Sequence, residues 1–186
     1  MTEPGSQRVL APLEIKRLGP QGHFSGYAAI FGTADSQNDI ISPGAFTRTL
    51  REHREAGTLP ALLWMHDTSR PLGQWDVLRE DGQGLYVEGR LAIGTRAADE
   101  AWQLMRSGAL TGLSIGYRTR RARFDTKTGT RMLLDIALSE ISLVALPAHE
   151  GARITAFKSA GAEPLAEGLV EFIHARETEL RRRKRH

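Results

Sequence analysis

The chain has no cysteine. Disulfides, thiolate metal sites and cysteine nucleophiles are therefore excluded from its chemistry. Aromatic residues are sparse at 6%, and Trp64, Trp75 and Trp102 are read most simply as packing residues. No apolar run approaches the roughly 20 residues of a membrane span. The N-terminal MTEPGSQRVLAPLEIKRLG lacks the basic region and apolar core of a signal peptide. A cytoplasmic protein is the expectation, with no membrane partner.

A basic surface is also missing from most of the chain. The formal net charge is +3, but Arg181, Arg182, Arg183, Lys184 and Arg185 carry five of the positive charges. Without them 20 basic side chains face 22 acidic ones, a balance of −2. The high isoelectric point belongs to a tail, which makes nucleic acid a weak candidate partner.

The composition suits one domain of 186 residues with an ordinary core, 40% hydrophobic and 25% charged. Val9–Arg17 and His23–Phe31 read as strands, followed by a polar loop over residues 32–41. Ser42-Pro43 resembles the start of a helix that ends near Gly57. LPALLWMH has strand length. PLGQWDVLRE and GLYVEGRLAI flank a glycine-rich turn and predict a hairpin. Thr95 opens a helix with Ala98, Trp102 and Met105 on one face, stopped near Gly108. GLSIGYRTRRARFD and RMLLDIALSEISLVALP read as long strands joined through residues 126–129, and ARITAFK as a last strand. Strands without regular βαβ alternation predict an α+β domain on a largely antiparallel sheet or barrel. Residues 1–158 form that domain in this reading. Residues 159–186 form a linker plus a basic, amphipathic helix, expected to be either a removable segment or one that docks on the scaffold.

Gly112-Leu113-Ser114-Ile115-Gly116 fits the pattern G-x-S-x-G of hydrolase nucleophiles. In that motif the serine turn ends a strand and begins a helix. Here the helical pattern precedes Ser114 and the residues after it alternate with period two, so the match fails as a nucleophile elbow. Ser114 is then either a nucleophile on another scaffold or a serine among glycines that admit a close backbone. A serine nucleophile needs a histidine to take its proton and a third group to orient that histidine.

His66 ends the run Leu62-Leu63-Trp64-Met65 and precedes a polar loop beginning at Asp67. That setting fits a general base or a loop-capping histidine. His149 lies in the turn Pro147-Ala148-His149-Glu150. His53 lies on a helix face among charged residues. Glu140 interrupts an apolar strand, where a carboxylate is either turned outward and solvated or turned inward and paired. Asp35-Ser36-Gln37-Asn38-Asp39 has calcium-like spacing but lacks the loop's glycine and glutamate, so Asx-turns are expected instead.

GYAAIFGTADSQNDIISPGAF, LLWMHD, PLGQW, GLSIGY and SEISLVALPA, in this order over residues 8–158, resemble the prohead proteases of tailed bacteriophages and gene-transfer agents. Those enzymes are distantly similar to the herpesvirus assembly proteases. The resemblance implies a compact, largely antiparallel β-barrel flanked by helices, with His66 as general base, Ser114 as nucleophile and Glu140 as third member. His149 is the runner-up for the third role, because it stands where the family usually has Asn-Pro and the herpesvirus relatives use a second histidine. Ile115, Gly116 and Arg118 are implied as oxyanion or substrate-backbone contacts, with Gly112 and Gly116 leaving room for substrate. The implied partners are the capsid protein precursor, its scaffolding segment and a second copy of the chain. The implied setting is the assembling prohead within the bacterial cytoplasm, with autoproteolysis and no cofactor. A non-catalytic assembly module of the same fold is the alternative.

Overall fold

The computed structural model describes residues 21–157. The strand expected at Val9–Arg17 and the C-terminal helix lie outside the described residues. Within them the order is β1 (His23–Ile30), β2 (Asp39–Ile41), α1 (Thr47–Ala56), β3 (Ala61–Trp64), β4 (Asp67–Glu80), β5 (Gly84–Leu91), α2 (Arg96–Arg106), β6 (Gly112–Asp125), β7 (Thr130–Val144) and β8 (Ile154–Phe157). The class is α+β, mostly strands with two helices. No helix among the described residues is long and apolar enough to cross a membrane.

One sheet runs β2-β7-β3-β4-β5-β1-β8, with β6 paired to β7. Strand β7 is its spine. Along one edge it pairs antiparallel with β6 over almost its whole length. Along the other it pairs parallel with β2 at Arg131–Leu133 and with β3 at Glu140–Leu143. Leu62, Leu72, Trp75, Leu85, Leu113 and Ile141 fill the core, all fully buried. Helix α2 closes one side of that core with Ala98, Trp102 and Met105, as its periodicity predicts.

The expected barrel does not form. The margins of the sheet meet through isolated bridges rather than a continuous ladder: Phe31 with Ile41, and Gly112 with Arg153, the latter beside the bond from Leu113 N–H to the Ala152 carbonyl at 2.9 Å. Closure would require the next residues of β6 to pair with β1. Instead a cavity separates them, and from Arg118 onward the β6 residues are exposed while remaining paired with β7. The sheet therefore stays open along the strip beyond Ser114.

Helix α1 begins at Thr47 rather than at Ser42-Pro43. Residues 42–45 form a turn, and Glu80 caps the helix from the end of β4. Its carboxylate accepts from Phe46 N–H at 2.9 Å and Thr47 Oγ1 at 2.6 Å. A cap supplied from another strand has no local sequence signature. His53 is half-buried rather than solvated, with Nε2 bonded at 3.1 Å to the Leu138 carbonyl.

Candidate active site

In the β6–β7 ladder Ser114 stands opposite Ser142 and Gly116 opposite Glu140. Directly paired residues project to the same face of a sheet. Leu113, Ile141 and Leu143 take the other face and are fully buried. The alternation that disqualified a hydrolase elbow thus collects Ser114, Glu140 and Ser142 on one surface.

His66 reaches that surface from the turn between β3 and β4. Trp64 pairs with Asp67, leaving Met65 and His66 as a two-residue connection. Both have positive φ, 48° and 65°, as the central residues of a type I′ hairpin turn do. The sequence suggests a histidine at a strand end before a loop. The structure instead places it inside the tightest hairpin connection, with β4 starting at the next residue. Non-glycine residues rarely adopt this conformation, and β7 holds both: Leu143 O accepts from Met65 N–H, and Ser142 Oγ accepts from His66 N–H, each at 3.0 Å.

The His66 ring lies between Ser114 and Glu140. Nε2 is 3.0 Å from Ser114 Oγ, and Nδ1 is 2.6 Å from Glu140 Oε1. The other carboxylate oxygen, Oε2, accepts from Ser142 Oγ at 2.6 Å. Glu140 is only 9% exposed, so it is the inward, paired carboxylate of the two alternatives. Gly116 makes its position possible: a Cβ there would lie 2.1 Å from Glu140 Oε1. The space left by that glycine is filled by the carboxylate, not kept for substrate. Gly112 likewise faces Val144 and Pro147 closely.

His149 is elsewhere. Its Nδ1 accepts from Gly151 N–H at 3.0 Å, and its Nε2 lies 2.7 Å from Thr33 Oγ1. It lines the cavity of about 140 Å³ beside Ser114, together with Ala28, Ile30, Asp35, Ile115 and Tyr117. Leu113 N–H points away from β7 to Ala152, so Ile115, two residues on, turns its N–H the same way, toward the cleft. Arg118 is exposed and lines a shallow depression beside α1 with His53 and Thr58.

Sequence reasoning missed the polar support beneath the cavity. Asp39 is buried, 2% exposed, and accepts from Arg131 Nε at 2.7 Å, from a second guanidinium nitrogen, and from Tyr117 Oη at 3.0 Å. The Arg131 guanidinium holds the Asp39 carboxyl below its usual range, against the opposing effect of burial. Burial and then the Asp39 charge push the Tyr117 phenol up to about 12. Asp35 Oδ1 accepts from the N–H groups of Gln37 and Asp39 at 2.8 and 2.9 Å, the expected Asx-turn. Nothing local announces the cluster, because its three members come from β2, β6 and β7. Ser142 was more legible, two residues after Glu140 on the same strand face.

The fold is that of a capsid assembly protease. The bacteriophage T4 capsid assembly protease superposes with a TM-score of 0.56 at 12% identity, covering 66% of this chain and 80% of that one. The caudovirus prohead serine protease family matches residues 11–165, and the chain belongs to that family. The prohead protease of Enterobacteria phage HK97 is 39% identical over 143 residues, 76% of this chain. The match spans 62% of the HK97 protein. A capsid polyprotein of Pseudomonas phage PAJU2 is 26% identical over 167 residues, covering 87% of this chain and 24% of that protein.

Proposed function

We propose that the chain is a serine endopeptidase of prohead maturation. Its substrates are the scaffolding segment of the capsid protein and the protease itself, cut inside the assembling shell in the host cytoplasm. The observation that carries the reading is His66, with one ring nitrogen 3.0 Å from Ser114 Oγ and the other 2.6 Å from Glu140.

That arrangement supports the following chemistry. Glu140 accepts the Nδ1 proton of His66, which leaves Nε2 free to take the Ser114 proton as Oγ attacks a peptide carbonyl. The imidazolium so formed is stabilised by Glu140 and later gives its proton to the leaving amine. Ile115 N–H, turned toward the cleft, supplies a donor for the oxyanion. The exposed Arg118, beside α1, leaves that task to backbone groups. A side chain of the substrate enters the cavity between β1 and β6. The PAJU2 relative, named a capsid polyprotein, supports a capsid precursor as the partner. Residues 159–186, after the domain, are a segment for removal by self-cleavage.

Ser114→Ala and His66→Ala should each abolish processing of co-expressed capsid precursor, read by gel mobility, while leaving the protein folded. Normal processing by Ser114→Ala would remove the serine assignment, and absence of processing by the parent protein would leave the non-catalytic assembly module.

A further inference from the structure

We infer that Ser142 is a positioning residue that locks His66 and Glu140 into their working geometry; this rests on the protease reading. Its hydroxyl is fully buried and touches both residues. It accepts from His66 N–H at 3.0 Å and donates to Glu140 Oε2 at 2.6 Å. The directions of these bonds are forced. A backbone N–H only donates, and a hydroxyl has one proton to give, so that proton goes to the carboxylate.

The site is shaped in two ways. First, the Glu140 oxygens are divided: Oε2 is held by Ser142, and Oε1 is presented to His66 Nδ1. A glutamate has three rotatable side-chain bonds, and without that hold its carboxylate could rotate away from the ring. Gly116 gives it room without fixing it, since a glycine offers no contact of its own. Second, the Ser142 bond secures the left-handed backbone of His66 at φ 65°. The adjacent Leu143 carbonyl secures Met65 in the same way. Consecutive residues of β7 thus clamp both residues of the hairpin turn, one through a side chain and one through the backbone. One hydroxyl sets the backbone that carries the base and the carboxylate that orients it.

A buried serine that merely satisfied its own strand would not be expected to bond two members of one catalytic constellation. Displacements near 1 Å in such constellations cost on the order of 100-fold in rate. The test uses the full chain and a rhodamine-tagged fluorophosphonate, which reacts with an activated serine without requiring the cleavage sequence. Ser142→Ala should lower the maximal labelling rate of Ser114 by about 10- to 100-fold, with the half-saturating probe concentration unchanged. The downfield proton resonance of His66 Nδ1, assigned by its loss in Glu140→Gln, should disappear or move upfield in Ser142→Ala. Ser142→Thr, which keeps the hydroxyl, should restore both signals. Ser142→Cys, which donates weakly, should resemble Ser142→Ala and replaces it if the alanine variant does not fold.

Unchanged labelling and an unchanged Nδ1 proton in a folded Ser142→Ala or Ser142→Cys variant would overturn the proposal. If the parent protein does not label at Ser114 but the Nδ1 proton still depends on Ser142, the positioning role stands and the protease reading falls.

Discussion

At the scale of single residues, G-x-S-x-G is a motif whose parts have separate reasons. Ser114 faces His66, Gly112 admits the backbone of Val144, and Gly116 admits the Glu140 carboxylate. The five residues resemble a hydrolase elbow because small residues crowd around a serine in both settings, by different routes. Gly116→Ala separates them. Its Cβ would meet side-chain atoms of Glu140, from Oε1 back to Cγ, and not backbone, so the fold can yield by rotating Glu140 away from His66. Stability should fall by only about 1–2 kcal/mol, whereas fluorophosphonate labelling of Ser114 should fall on the order of 100-fold. Parent-like labelling by a folded Gly116→Ala variant would show that Glu140 does not orient His66. The identities of Ser114, His66 and Glu140 were legible as candidates from their settings. Their mutual distances were not, since the pairing of β6 with β7 and of β3 with β7 decides them.

At the scale of elements, periodicity finds the strands and the α2 face, and long-range pairing supplies what periodicity lacks. The residues after His66 read as a polar loop because Asp67, Ser69 and Arg70 are charged or polar. They form the start of β4, on a stretch of sheet exposed enough to accept them. Strand β2 reads as loop in the sequence because three residues carry no periodic signal; its parallel pairing with β7 makes it a strand. That pairing brings Asp39 beside Arg131, and Tyr117 joins them from β6, so the cluster ties three strands beneath the cavity. Its pH dependence has two sides. The folded Asp39 carboxyl titrates below its usual value of 3.8, so its stabilisation is present above that value and is lost as pH falls through the folded one. The Tyr117 phenol is raised from 10.0 to about 12. Its contribution is complete below pH 10 and is lost as pH rises through about 12. Thermal melts of the parent should therefore show a fall in stability over that alkaline interval. Tyr117→Phe should flatten that part of the profile while lowering stability at pH 8. An equal alkaline loss in Tyr117→Phe would place its origin elsewhere.

At the scale of the molecule, the absence of barrel closure and the presence of a cleft are one fact. Composition and strand count allow either a sheet or a barrel, because closure depends on whether the two outermost strands find each other. Here β6 and the residue before β8 meet at Gly112 and Arg153, and β6 then diverges from β1, leaving the cavity beside Ser114. The approach is held on the β1 side by Gly26, whose Cβ would lie 2.1 Å from the Arg153 carbonyl oxygen. Tyr27 N–H donates to that same oxygen at 3.0 Å. Gly26→Ala therefore meets backbone, not a rotatable side chain, and relief requires β1 to move away from residues 153–154. The expected cost is about 2–3 kcal/mol, larger than for Gly116→Ala. Labelling of Ser114 should fall less, because Ser114, His66 and Glu140 are held by β6, β7 and the β3–β4 turn, whereas Gly26 pairs with Val87 of β5 and Ile154 of β8. The two glycine variants should thus cross over, one losing more stability and the other more reactivity. Chemical denaturation alongside labelling kinetics reads both quantities. Equal losses in both would mean that the seam and the Ser114–His66–Glu140 cluster form one mechanical unit rather than two.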